Sequence, residues 1–127
     1  MNENFKIKGY DSYDAGNFLK EKHPNSSIHC YHYCCVQFIE QIFLDYDIDF
    51  KSETNDYSHE QRITKFISFV GMKFGNIALL NSALTKIRKT RNEADYNNIP
   101  LKSKSDSTEI QQQCDVFMSY LKTNNLI

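Results

Sequence analysis

Proline and glycine are scarce, two and four in 127 residues, so few positions oblige the chain to turn and long helices are favoured. Long apolar runs are missing too. No stretch approaches the roughly 20 residues that span a bilayer. The opening Met-Asn-Glu-Asn-Phe-Lys has none of the apolar core of a secretory leader, so a cytoplasmic protein is expected. An excess of charge is also absent. Lys plus Arg number 15 against 16 Asp plus Glu, a net charge of -1, which excludes a general attraction to nucleic acid or anionic membranes and makes any anion site local. The four cysteines lack the spacing of a secreted disulfide framework, and Cys30, Cys34 and Cys35 fall within one predicted helix. Cys30, Cys34, His29 and Cys114 could in principle share zinc, but no second ligand pair has a recognisable spacing. Core thiols are expected, with no metal and no other cofactor.

What is present is ordinary for one globular domain over residues 1–127, at 40% hydrophobic and 24% charged residues. A chain of this size buries roughly two-thirds of its unfolded surface. Residues 1–11 read as an irregular segment, since the alternation at Phe5 and Ile7 has no partner strand. Ser12 can cap a short first helix with Ala15, Phe18 and Leu19 on its apolar face, ended by His23-Pro24. Asn25-Ser26-Ser27 offers caps for a second helix on which Ile28, Tyr31, Cys35, Phe38, Ile39, Ile42 and Tyr46 recur at helical spacing. Tyr33, Val36 and Phe43 widen its apolar surface, so it either runs through the domain centre or also meets a second copy.

Residues 45–57 are acidic and turn-prone, without the central glycine or closing glutamate of a calcium loop, and read as a solvated connection. Ser58 and Gln61 have capping-box spacing ahead of a third helix with Ile63, Phe66, Ile67 and Val70, after which Gly71 and Gly75 punctuate. A fourth helix runs from about Asn76 to the amides and proline at Asn97-Asn98-Ile99-Pro100. Residues 102–107 form a polar linker, and Asp106 and Glu109 frame a last helix with Ile110, Cys114, Phe117 and Leu121, closed by Asn124-Asn125. Five helices without a convincing strand predict an all-α, four- to five-helix antiparallel bundle. The eight Tyr and nine Phe lack surrounding basic residues and read as packing rather than base stacking.

Chemistry concentrates in residues 86–96. Ile77, Leu80, Leu84 and Ile87 form one helix stripe, and Arg91 takes its next place. Arg88, Arg91, Asn92 and Asp95 share a face. Lys86, Arg88, Lys89 and Arg91 put four cations in six residues, and cations at a helix C-terminus are commonplace because the macrodipole favours them. An arginine on a buried stripe is different, because it costs stability unless paired or facing a cleft. Asp95 is its partner in a purely structural reading. In a functional one, Arg91 and Asn92 hold a phosphate, Arg88 and Lys89 extend the phosphate-binding surface, and Asp95 is the carboxylate available for proton transfer.

The hexapeptide Arg91-Asn92-Glu93-Ala94-Asp95-Tyr96 resembles the end-of-helix motif of one branch of the HEPN superfamily of small prokaryotic helical proteins. Tyr31-His32-Tyr33, followed by His59 and then Phe69-Val70-Gly71, fits the same pattern, so the resemblance covers residues 12–121. It implies a helical bundle that forms a homodimer with the motif helices facing one another. It further implies an RNA-directed effector of a toxin-antitoxin or antiphage defence module, a metal-independent endoribonuclease in which Arg91 stabilises the phosphorane and Asn92 orients the phosphate. The family's histidine is not in the motif here: Tyr96 stands at the shortest spacing, followed by Asn97 and Asn98, so the active site is degenerate. His59 and His32 are the candidate substitutes. The other function the resemblance implies is a non-catalytic interaction module partnering a small nucleotidyltransferase, with Tyr96 contacted or modified by that partner.

Overall fold

The computed structural model of the protein describes residues 2–48, 59–96 and 101–127, and of His59 and Tyr96 the backbone alone. It is a bundle of five helices, α1 (Asn4–Leu19), α2 (Pro24–Asp45), α3 (His59–Lys73), α4 (Ala78–Tyr96) and α5 (Lys104–Thr123), with no strand among the described residues. The cap expected at Ser58 and most of the acidic connection lie outside the described residues.

The second helix is central and touches the other four. Ile28, Tyr31, Cys34, Phe38 and Ile42 are fully buried along it, as expected of a helix apolar around most of its circumference. Tyr46 departs from the predicted stripe: it is the residue just past the helix end, 40% exposed, and its ring leans on Phe69. Phe117 of α5 meets Phe38 and Phe66 at ring-centroid distances of 6.4 and 6.0 Å, joining α2, α3 and α5 in one core. Each such ring contributes about 1.5–3 kcal/mol by leaving water.

Helix directions follow from these contacts. Lys6 lies opposite Gln41, Gly9 opposite Phe38 and Gly16 opposite Tyr31, so α1 and α2 are antiparallel. Ser27 meets Ser107 and Cys34 meets Cys114, so α2 and α5 run the same way. The bundle is therefore not antiparallel throughout; short connections reverse the chain, whereas α2 and α5 are far apart in sequence and free of that constraint.

Three boundaries differ from the sequence reading, each for a visible reason. Helix α1 begins at Asn4, inside the segment read as irregular. Asn2 Oδ1 accepts from Asn4 N at 2.9 Å, and Gln41 of α2 accepts from Lys6 N while donating to Asn2 O, so side chains satisfy the helix start. The fully buried residues of its core face are Gly9 and Gly16, each close against a ring of α2, with Tyr10 and Tyr13 part-buried beside them, which leaves little apolar periodicity to read. Phe18, expected on that face, lies on the far side and is 89% exposed. Helix α2 begins with Pro24 at its first turn, where a missing N–H costs nothing, so Asn25, Ser26 and Ser27 are inside it rather than capping it. Ser27 instead donates to Gly16 O at 2.6 Å and shares a 2.7 Å hydrogen bond with Ser107. Helix α5 begins within the expected linker: Ser103 and Asp106 form a reciprocal capping box.

Gly71 continues α3, and the turn to α4 comes at Gly75, whose φ of 73° suits glycine. Ion pairs hold α3 to its neighbours, Arg62 with Glu40 of α2 and Glu60 with Arg88 of α4 at 3.7 Å. No helix among the described residues is long and apolar enough to cross a membrane.

Candidate functional site

The α4 stripe aims Arg91 as the spacing predicts. Leu80, Leu84 and Ile87 are each 1% exposed, and Arg91 follows them at 9%. Its Nε lies 3.0 Å from Asp95 Oδ2, and its Nη1 donates to Asn92 Oδ1 at 3.2 Å. The three motif side chains thus form one connected group on the last turns of the helix.

A fourth member comes from another helix. Nδ1 of His29, on α2, is 2.8 Å from the same Asp95 Oδ2. An ionised carboxylate oxygen accepts and does not donate, so His29 Nδ1 carries the shared hydrogen and Nε2 is the ring nitrogen that this contact leaves unused. The ring is held further by Tyr33, one turn along α2, at 4.7 Å between centroids and a 43° tilt. Side-chain exposure rises across the cluster from 11% at Arg91 through 21% at Asp95 to 40% at His29, so the group opens from the core toward solvent.

The end of α4 is fastened to α2 by one amide. Asn25, one turn before His29, donates from Nδ2 to Ala94 O at 2.9 Å and accepts on Oδ1 from Lys102 N at 2.8 Å. Lys102 Nζ in turn pairs with Glu93 at 3.2 Å. Backbone on both sides of residues 97–100 is thereby fixed beside the cluster.

The other expected site residues are placed as follows. Arg88 turns to Glu60 of α3, away from the Asp95 carboxylate that holds Arg91, and Lys89 is exposed. His32 is 1% exposed in the core of α2, edge-on to Tyr33. The side chains of His59 and Tyr96 lie outside the described residues. In the sequence His29 is legible only as a candidate zinc ligand. Its partner is 66 residues away, and no local spacing could have joined them.

The cysteines form a separate group. Cys34 and Cys114 bring their sulfurs to 3.7 Å in the α2–α5 core, and Cys35 is buried beside them. Contact with Cys114 and burial push the Cys34 thiol up, while burial first and the same contact second push up Cys35. Among the described residues no group of three or more His, Cys, Asp or Glu side chains is placed to hold a metal ion. A pocket of about 510 Å³ lies between the α3–α4 turn and α5, lined by Phe74, Leu80, Val116 and Tyr120 among others. It opens near the start of α4, about 20 Å along that helix from Asp95, and contains none of the motif residues.

No protein-family model matches the chain, and comparison with curated proteins and with solved structures finds no match to it.

Proposed function

We propose that the cluster at the end of α4 handles a phosphodiester and that the protein is a HEPN-type RNA-directed effector of a toxin-antitoxin or antiphage module, acting as a metal-independent endoribonuclease. The observation that carries this reading is the partly desolvated Arg91 joined to Asn92 and Asp95 and, through that carboxylate, to a solvent-facing histidine. A planar guanidinium can bind two phosphate oxygens at once, and one held largely out of water stabilises charge developing on phosphorus more than an exposed one. A merely structural Arg91–Asp95 pair has no use for the Asn92 amide or for a second hydrogen-bonding partner on the same carboxylate oxygen.

In this reading the protein is a homodimer with the two α4 ends facing one another. Leu101 supports that arrangement: it is 85% exposed and adjoins Lys102, which Asn25 holds beside Ala94, so an apolar side chain stands at the rim of the cluster. A second copy would cover it.

The test is binding and cleavage of single-stranded RNA by the purified full chain in excess chelator. Wild type is expected to bind and cut, and Arg91→Ala to bind about 10- to 100-fold more weakly, the worth of a charged hydrogen-bonding partner. RNA binding and cutting unchanged in Arg91→Ala would remove the reading. A wild-type protein that ignores RNA would do the same and would favour a protein-binding module.

A further inference from the structure

We propose that His29, reaching across from α2, is the proton-transfer residue of this site, with Asp95 as the residue that positions it. This rests on the RNA reading above and supplies the group that the α4 motif lacks.

Three features of the geometry point to it. Arg91 Nε and His29 Nδ1 both approach Asp95 Oδ2, at 3.0 and 2.8 Å, so the guanidinium and the imidazole flank a single oxygen and lie within reach of one phosphodiester. Asp95 already uses that oxygen on both neighbours, which suits it to holding them rather than to receiving a substrate proton. His29 is fixed on one edge by Asp95 and on one face by Tyr33, leaving Nε2 as the lone-pair nitrogen on a side chain that is 40% exposed. A carboxylate that fixes the tautomer and orientation of an imidazole is the arrangement in which histidine acts as a base. A solvent-facing His–Asp contact between helices adds little as a strut, so stability gives little account of it.

The reaction balances as follows. His29 Nε2 takes the proton of a ribose 2′-hydroxyl while that oxygen forms a bond to the adjacent phosphorus, and the bond from phosphorus to the 5′-oxygen of the next nucleotide breaks. Arg91 and the Asn92 amide face the non-bridging oxygens, where charge builds. The 5′-oxygen leaves with a proton from water, and the imidazolium returns its proton to solvent. The products are a 2′,3′-cyclic phosphate and a 5′-hydroxyl, and no oxidant, reductant or metal enters.

The experiment compares wild type, His29→Ala, His29→Gln and Arg91→Ala on single-stranded RNA in chelator, measuring cleavage rate, RNA affinity, product ends and thermal midpoint. His29→Gln keeps a donor for Asp95 but cannot take up a proton near neutral pH. Both His29 variants are expected to lose about 100- to 10,000-fold in cleavage rate while binding RNA within a few-fold of wild type and melting normally. Added imidazole should restore part of the rate to His29→Ala alone. Cleavage by His29→Gln at the wild-type rate would overturn the proposal and leave the endoribonuclease reading standing; a wild type that binds RNA through Arg91 and cuts nothing would overturn the proposal and reduce that reading to RNA binding. RNA binding and cutting unaffected by Arg91→Ala would overturn the reading and the proposal together.

Discussion

The Asn25 side chain donates to the Ala94 carbonyl at 2.9 Å, so the first turn of α2 holds the last turns of α4 one residue before Asp95. Asn25→Ala removes this bond and the one from Lys102 N. It is expected to destabilise the fold by about 1–3 kcal/mol, as for a part-buried polar group that leaves its partners unsatisfied. Asn25→Asp keeps the acceptor and loses the donor, and should fall between. Chemical denaturation checks the order, and an unchanged midpoint in Asn25→Ala would show that the tie carries no load.

Gly16 is a second sensitive point. A Cβ there would stand 2.6 Å from the Tyr31 ring, whose hydroxyl is also held by Asn17 at 2.6 Å, so the ring has little room to give way. Gly16→Ala is expected to cost about 1–3 kcal/mol by overpacking. Gly75→Ala meets no atom within 4 Å, and its cost comes only from the backbone angle, about 1–2 kcal/mol. High-resolution structures of the two variants would separate the causes: a shifted Tyr31 in the first, and an altered α3–α4 turn with an undisturbed core in the second.

The cap of α5 makes stability depend on acid. The Ser103 backbone N–H, more than its hydroxyl, holds the Asp106 carboxyl below the usual carboxylate range. A group with a depressed native pKa contributes fully above its unfolded value, near 3.9, and loses that contribution as pH falls through its native value. Ser103→Ala should cost about 1 kcal/mol at neutral pH. The gap between Asp106→Asn and wild type should close on acidification below about pH 4. A gap that persisted unchanged in acid would contradict the assignment.

Thiol chemistry provides an independent probe of the core. Cys30 is part-exposed, whereas Cys34, Cys35 and Cys114 are buried. An alkylating reagent is therefore expected to label Cys30 first in the native protein, though slowly, since burial raises its thiol above the ordinary cysteine range. The other three should react only as the chain opens. Peptide mapping against time gives the order, and early labelling of Cys114 would mean that the α2–α5 contact opens locally.

How much of this was readable beforehand follows from where each signal lies. Leu80, Leu84, Ile87 and Arg91 sit on one helix, so spacing alone placed Arg91 on the buried stripe and Asp95 one turn beyond it. His29 could not be read this way, because its contact crosses from α2 to α4 and no local period encodes it. The start of α1 was hidden for the opposite reason: its two fully buried positions are glycines, and the rings they meet belong to α2. At α5 the signal was present in Ser103 and Asp106, but their polarity read equally well as a linker.

The parallel pairing of α2 with α5 has a consequence for synthesis on the ribosome. The central helix is made early, yet one flank of it, through Ser27, Cys34 and Phe38, is covered by residues 107–117. Until those residues emerge, an apolar flank of α2 stays open to solvent and to other nascent chains. Helix α1 can shield the adjoining side, where Gly9 and Tyr10 meet Phe38 and Gly16 meets Ser27 and Tyr31, as soon as both have left the tunnel. Vectorial folding of this protein is therefore expected to pause at a two-helix hairpin whose exposed side is a natural place for a chaperone to hold.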